Sequence, residues 1–93
     1  MSGPLRYDAL VFTSQFLETF ASKDFSSAEQ RQFLKALSLL QTNERHPSLR
    51  VHQLQGNLAG LWSASASAQL RIIFERVEGG RKALIACSRH YQR

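Results

Sequence analysis

Two runs with strand character, separated by a pair of glycines, dominate the second half of this chain. From Ala68 to Val77, Leu70, Ile72 and Phe74 recur at every second position, which is the period of a strand with one buried face. Gly79-Gly80 follows, and then a largely apolar run from Lys82 to Ser88. Glycine adopts positive φ without a Cβ clash, so the pair predicts a hairpin turn. A lone hairpin is marginal in water. The rest of the chain must therefore cover its apolar face.

The first half supplies the cover. Arg6 to Phe12 alternates as a strand and ends at Thr13, whose hydroxyl suits a helix N-cap. Phe12 and Leu17 are spaced as a hydrophobic staple, and Phe16, Leu17 and Phe20 form an apolar stripe on a helix that should end near Lys23-Asp24. Ser26-Ser27-Ala28-Glu29 has the pattern of a capping box, opening a second helix to about residue 42 with Phe33, Leu34, Ala36, Leu37 and Leu40 on one side. The short link between the helices predicts an antiparallel hairpin. Asn43 to Arg50 is expected as a loop around Pro47, with short strands over Val51 to Gln55 and Leu61 to Ser65 and a tight connection between Gly56 and Gly60. The expected fold is α+β: a small antiparallel sheet of about four to five strands, with the two-helix hairpin packed on one face, in the order β-α-α-β-β-β-β. With 93 residues, the expectation is one domain over 1–93.

The net charge of +5 is unevenly placed. Residues 1–43 balance four basic against four acidic side chains, whereas residues 44–93 hold eight against three, together with all three histidines. Focused positive charge attracts phosphate backbones or an acidic protein. The longest apolar run, Ala83 to Cys87, is too short to span a bilayer, so no membrane association and a cytoplasmic location are expected. Cys87 is the lone cysteine and sits in that run. It is expected to be a small buried side chain, neither disulfide nor metal ligand. No cofactor or metal is expected, because the three histidines lack clustered carboxylates.

Candidate chemistry concentrates in the basic half. Arg71 interrupts an apolar strand, where an unpaired buried charge is costly, so it must meet solvent, an acid such as Glu75, or a ligand. His52 and His90 can take or give a proton near neutral pH, and Arg71 and Arg89 offer forked donors for phosphate oxygens. Together they would supply the base, the acid and the cation needed when an RNA 2′-OH attacks its neighbouring phosphorus. His46, before Pro47, is expected as a turn residue, and Trp62 as packing at the sheet edge.

The ordered set also resembles a known family. A leading strand, a helical hairpin, a His-Pro loop (His46-Pro47), H-x-L-x-G (His52 to Gly56), a Trp62-Ser63 connection, Leu70-Arg71-Ile72-Ile73-Phe74 and a C-terminal His90-Tyr91 together resemble the RelE/ParE superfamily of type II toxin–antitoxin toxins, closest to the YafQ-like mRNA interferases. The resemblance implies the α+β fold above. It also implies a ribosome-dependent endoribonuclease, with mRNA and the ribosome as partners, and a cognate antitoxin that wraps the toxin in a hetero-oligomer. His90, His52 and Arg71 fall at catalytic positions. Arg71, Arg89, Arg50 and Tyr91 fall at or beside phosphate- and RNA-binding positions. Two other readings remain: a ParE-like toxin that binds DNA gyrase without cutting RNA, and a decayed toxin that only binds its antitoxin or RNA.

Overall fold

The first helix starts where Thr13 provides two anchors at once. Its Oγ accepts the N–H of Phe16, capping the helix, and its own O–H donates to the carbonyl of Leu84 at 2.6 Å. In the computed structural model, residues 10–89 are described. The strands are β1 (Leu10–Phe12), β2 (His52–Gln53), β3 (Leu61–Ser65), β4 (Leu70–Val77) and β5 (Arg81–Arg89), and the helices are α1 (Ser14–Phe20) and α2 (Ser27–Thr42). Single 3-10 turns occupy Pro47–Leu49, Gly56–Leu58 and Glu78–Gly80.

The strand order is β1-β5-β4-β3-β2. The α+β class is as expected, but the sheet is mixed rather than purely antiparallel. β1 runs parallel to β5, while every other pairing is antiparallel. The reason is long-range: the two helices carry the chain off the sheet after β1, and the edge of the last strand is where β1 finds a partner. The Thr13–Leu84 bond locks that edge one residue beyond the Phe12–Leu84 pairing.

Local signals set the helices, with two adjustments. α1 stops at Phe20 with Ala21 as its C-cap, short of the expected end near Lys23-Asp24, and beyond it the Ser22 hydroxyl accepts the N–H of Asp24. Phe16 is buried whereas Leu17 lies half in solvent, and Phe12 packs edge-on against Phe16 at 5.7 Å. α2 has the full capping box between Ser26 and Glu29 and buries Phe33, Ala36, Leu37 and Leu40. Leu34 stays exposed, outside the arc that meets the sheet.

The core forms where β4 presents Leu70, Ile72 and Phe74 to Phe16, Phe33, Leu37 and Leu40 of the helices, with Ala64, Leu84 and Cys87 from the flanking strands. Leu84 and Cys87 are three residues apart, yet both are buried. In a regular strand, odd spacing sends side chains to opposite faces. A register shift resolves the conflict: Ile73 pairs with Ala86 and Phe74 with Leu84, leaving Ile85 as the extra residue. The Gly79-Gly80 turn has φ of 77° and 73°, as a tight hairpin between β4 and β5 demands. Burial pushes the Cys87 thiol up to about 12, so it stays protonated.

At one end of the sheet the core closes on a charge cluster. Glu44, just past α2, accepts from Arg76 Nη2 at 2.6 Å and from Lys82 Nζ at 2.9 Å. The Arg76 guanidinium lies 4.2 Å above the Trp62 ring, which itself stacks on Phe74. Lys82 is buried on its strand, and Glu44 is the acid it meets. Hydrogen bonds from Arg76, then those from Lys82, hold the Glu44 carboxyl down to about 2. A depressed folded-state pKa contributes stability that is complete above the free value of 4.5 and lost as pH falls toward 2. Glu44→Gln is expected to cost about 2–3 kcal/mol at neutral pH, below the cost of breaking a fully buried pair because Glu44 is partly exposed. Its melting temperature should also fall less steeply than that of the wild type between pH 5 and 2, which thermal melts across that range would check.

Candidate phosphate-binding face

Alternation divides the sheet into two faces with different electrostatics. Arg76, Lys82 and Arg89 fall on the helix side, in register with Phe74, Leu84 and Leu70 or alternating with them. Arg71, Ser63, Ser65 and Ser88 fall on the second face, and the His52–Ser63 pairing places His52 there too. The helix-side cations are neutralised. Arg89 makes a two-pronged contact with Glu29, 2.7 Å from Nη1 to Oε2 and 2.9 Å from Nη2 to Oε1, and also donates to the Asp24 carbonyl. Arg89, expected to face phosphate, is thus tied to the start of α2, and the structure does not bring it to Arg50, His52 and Arg71.

Arg71 is held differently. Its Nη1 donates to the carbonyls of Ser67 (2.9 Å), Ala68 (3.3 Å) and Leu70 (3.1 Å), which turn the chain from β3 into β4. Glu75, the acid considered for it from sequence, pairs with Leu61 and Ala83 further along the sheet. Among the described residues Arg71 meets no carboxylate, and Nη2 and Nε carry no protein acceptor. Partial burial, and then the nearby Arg50 charge, lower its pKa from the ordinary arginine value. Two cations are thus held near one another with no carboxylate between them among the described residues, an arrangement that favours a bound anion.

Arg50 is brought there by backbone geometry. It caps the Pro47–Leu49 turn at φ 46° and ψ 47°, the only non-glycine residue with positive φ among those described. That conformation turns its carbonyl toward His52, whose Nδ1 lies 2.9 Å away. A carbonyl can only accept, so Nδ1 carries the proton in this bond. His52 is exposed, two strands from Arg71 and offset by two residues, roughly 12 Å between Cα atoms. β2 is only two residues long, shorter than expected, which leaves Arg50 and Val51 free to form this bend.

His46 acts in the turn as expected: its Nδ1 accepts the Ser48 N–H at 3.1 Å and caps the turn. Trp62 packs on the helix side between Phe74 and Arg76. His90 and Tyr91 lie outside the described residues. Among the described residues no three His, Cys, Asp or Glu side chains gather as metal ligands. No helix there is long and apolar enough to cross a membrane. Sequence reasoning missed the Glu44–Arg76–Lys82 cluster and the Glu29–Arg89 pair, because their partners are remote in the chain and each charge looks like an ordinary surface residue.

A small α+β protein with a cationic, histidine-bearing face on one side of its sheet is the class that these features define. It is a class with solved counterparts. A YoeB/ParE toxin from Agrobacterium tumefaciens is 26% identical, with a TM-score of 0.64 over 88% of this chain and 98% of that one. YafQ from E. coli strain BL21(DE3) superposes with a TM-score of 0.67 at 15% identity, covering 86% of this chain and 90% of that one. YafQ within the E. coli DinJ–YafQ toxin–antitoxin complex gives 0.65 at 16% identity, covering 87% and 90%. No family model and no curated protein matches the chain. The chain has the fold of the RelE/ParE superfamily, and YafQ stands among the structures that share it.

Because Glu29 is held down to about 2, first by its hydrogen bonds from Arg89 and then by the Ser26 N–H, the Glu29–Arg89 link should weaken as pH falls from 4.5 toward 2. Arg89→Ala is expected to lower the melting temperature at neutral pH. Thermal melts of Arg89→Ala and the wild type at pH 7 and at pH 3 check this: the difference between them should be smaller at pH 3.

Proposed function

We propose that this chain is the toxin of a type II toxin–antitoxin pair and that it cuts mRNA on the ribosome by attack of the 2′-OH on the adjacent phosphorus. The observation that carries this reading is the shared face of His52 and Arg71: an exposed imidazole with its Nδ1 anchored on the Arg50 carbonyl, and a guanidinium with two nitrogens free of any protein acceptor among the described residues. The fold shared with toxins of this kind, some solved with their antitoxins, supports the same reading.

In this mechanism His52 Nε2 accepts the 2′-OH proton as the oxygen attacks phosphorus. Arg71 donates to the equatorial oxygens, where negative charge grows in the phosphorane. The bond to the 5′-oxygen then breaks, and His90 gives that oxygen its proton, leaving a 2′,3′-cyclic phosphate and a 5′-hydroxyl. Arg50 adds positive charge beside Arg71, and Tyr91 offers a ring on which a base can stack. An antitoxin neutralises the toxin by occupying it in a hetero-oligomer. A gyrase-binding toxin is the second reading, motivated by the ParE name in the 26% identical neighbour.

The test is induction of the protein alone in bacteria, with mRNA ends mapped, followed by cleavage on purified translating ribosomes. His90→Ala and Arg71→Ala should each lower the cleavage rate by roughly 10²–10⁴-fold, the range for removing a proton-transfer or charge-stabilising group. His52→Ala is expected to cost about as much as His90→Ala if His52 is the base, and less if His52 only orients the RNA. Intact mRNA with accumulating DNA breaks would select the gyrase reading.

A further inference from the structure

A cleft of about 810 Å³ opens beside Arg71, between α2 and the turn joining β3 to β4. Lys35 of α2, Arg50 and Arg71 line it, with the hydroxyl-bearing Ser65 and Ser67. None of the described residues lining it is acidic. Lys35 is exposed and Ser65 is buried. Three cations from three separate segments therefore converge on one concave site. By contrast, Arg76, Lys82 and Arg89 are each bound to a glutamate. Self-repulsion among clustered cations costs stability unless an anion offsets it.

We infer that this cleft holds a second phosphate of the RNA strand, gripped by Lys35 and Arg50, next to the phosphate on Arg71. The inference rests on the RNA-cleavage reading above and adds to it a substrate-positioning residue, Lys35, from the charge-balanced half of the chain. Arg71 stands at the junction: Nη1 is committed to the turn carbonyls, while Nε and Nη2 have no acceptor among the described residues and are offered to phosphate oxygens. The ammonium of Lys35 acts as a flexible point charge that follows the backbone without selecting a base. The strand would enter along α2 and leave past His52.

Two measurements test this. First, ¹⁵N-resolved NMR titration of the full chain with inorganic phosphate and with pyrophosphate should shift the amides of Lys35, Arg50, Ser67 and Arg71 together. This readout does not depend on RNA cleavage. Shifts elsewhere, or none, would overturn the cleft as an anion site. Second, binding of a non-cleavable 2′-O-methyl RNA strand should be followed against salt. Lys35→Ala should weaken binding about 3–10-fold at low salt and reduce the salt slope by about 0.7, the value for one phosphate contact on a single strand. In the ribosome assay it should raise KM more than it lowers kcat, and Lys35→Arg should restore binding. Lys23→Ala, in the same half but remote from the cleft, serves as the control. If the wild type binds the strand and Lys35→Ala matches it in affinity and slope, the second-phosphate role fails while the cleavage reading stands. If phosphate shifts the cleft amides but the RNA strand does not bind, the anion site stands and the RNA occupant fails with the cleavage reading.

Discussion

Burial of Leu70, Ile72 and Phe74 beneath the helices is the constraint from which the rest of this structure follows. Each of these side chains contributes on the order of 1.5–3 kcal/mol when removed from water, and no polar group in the strand can compete with that total. Once they face the helices, alternation sends Arg71 to the other side and Arg76 to the helix side. The flanking strands must conform. β5 accommodates by bulging at Ile85, which keeps both Leu84 and Cys87 in the core.

The same division sorts the charges. On the helix side a cation lies close to low-dielectric core, so it requires a paired anion. Glu44 and Glu29 fill that role, one at each end of α2, binding Arg76 with Lys82 and Arg89 respectively. These pairs also tie α2 to β4 and β5, so charge pairing and helix docking reinforce each other. On the second face and at the β3–β4 turn, Arg71 is supported by carbonyl dipoles rather than by a carboxylate. Carbonyls orient the guanidinium without cancelling its charge. The result is a positioned cation with no carboxylate partner among the described residues, on the same face as a histidine whose Nδ1 is bonded to the Arg50 carbonyl.

Much of the fold was legible because its signals are local. The Thr13 cap, the Ser26–Glu29 box, the β4 alternation and the Gly79-Gly80 turn each depend on residues within a few positions of one another. The apolar stripes were legible to within one residue of their edges: Leu17 and Leu34 belong to them by spacing yet face solvent, because a helix buries only the arc its neighbour can cover. Within the candidate site, Arg50, His52 and Arg71 were each recognisable in the sequence. Lys35 was not, since its relevance comes from α2 lying against the turn of a hairpin far along the chain.

The sequence by itself determined the class of fold, the position of most strands and helices, and the concentration of basic and imidazole groups in the second half. Tertiary structure alone decided which edge β1 would join, where β5 would bulge, and which arginines would be neutralised. The reason is physical. Helix caps, turns and alternation are short-range steric and hydrogen-bonding preferences, carried by neighbouring residues. Charge neutralisation depends on distance in space, so Arg89 and Arg71, both promising in sequence, separate only when the folded chain places Glu29 beside one and Arg50 beside the other.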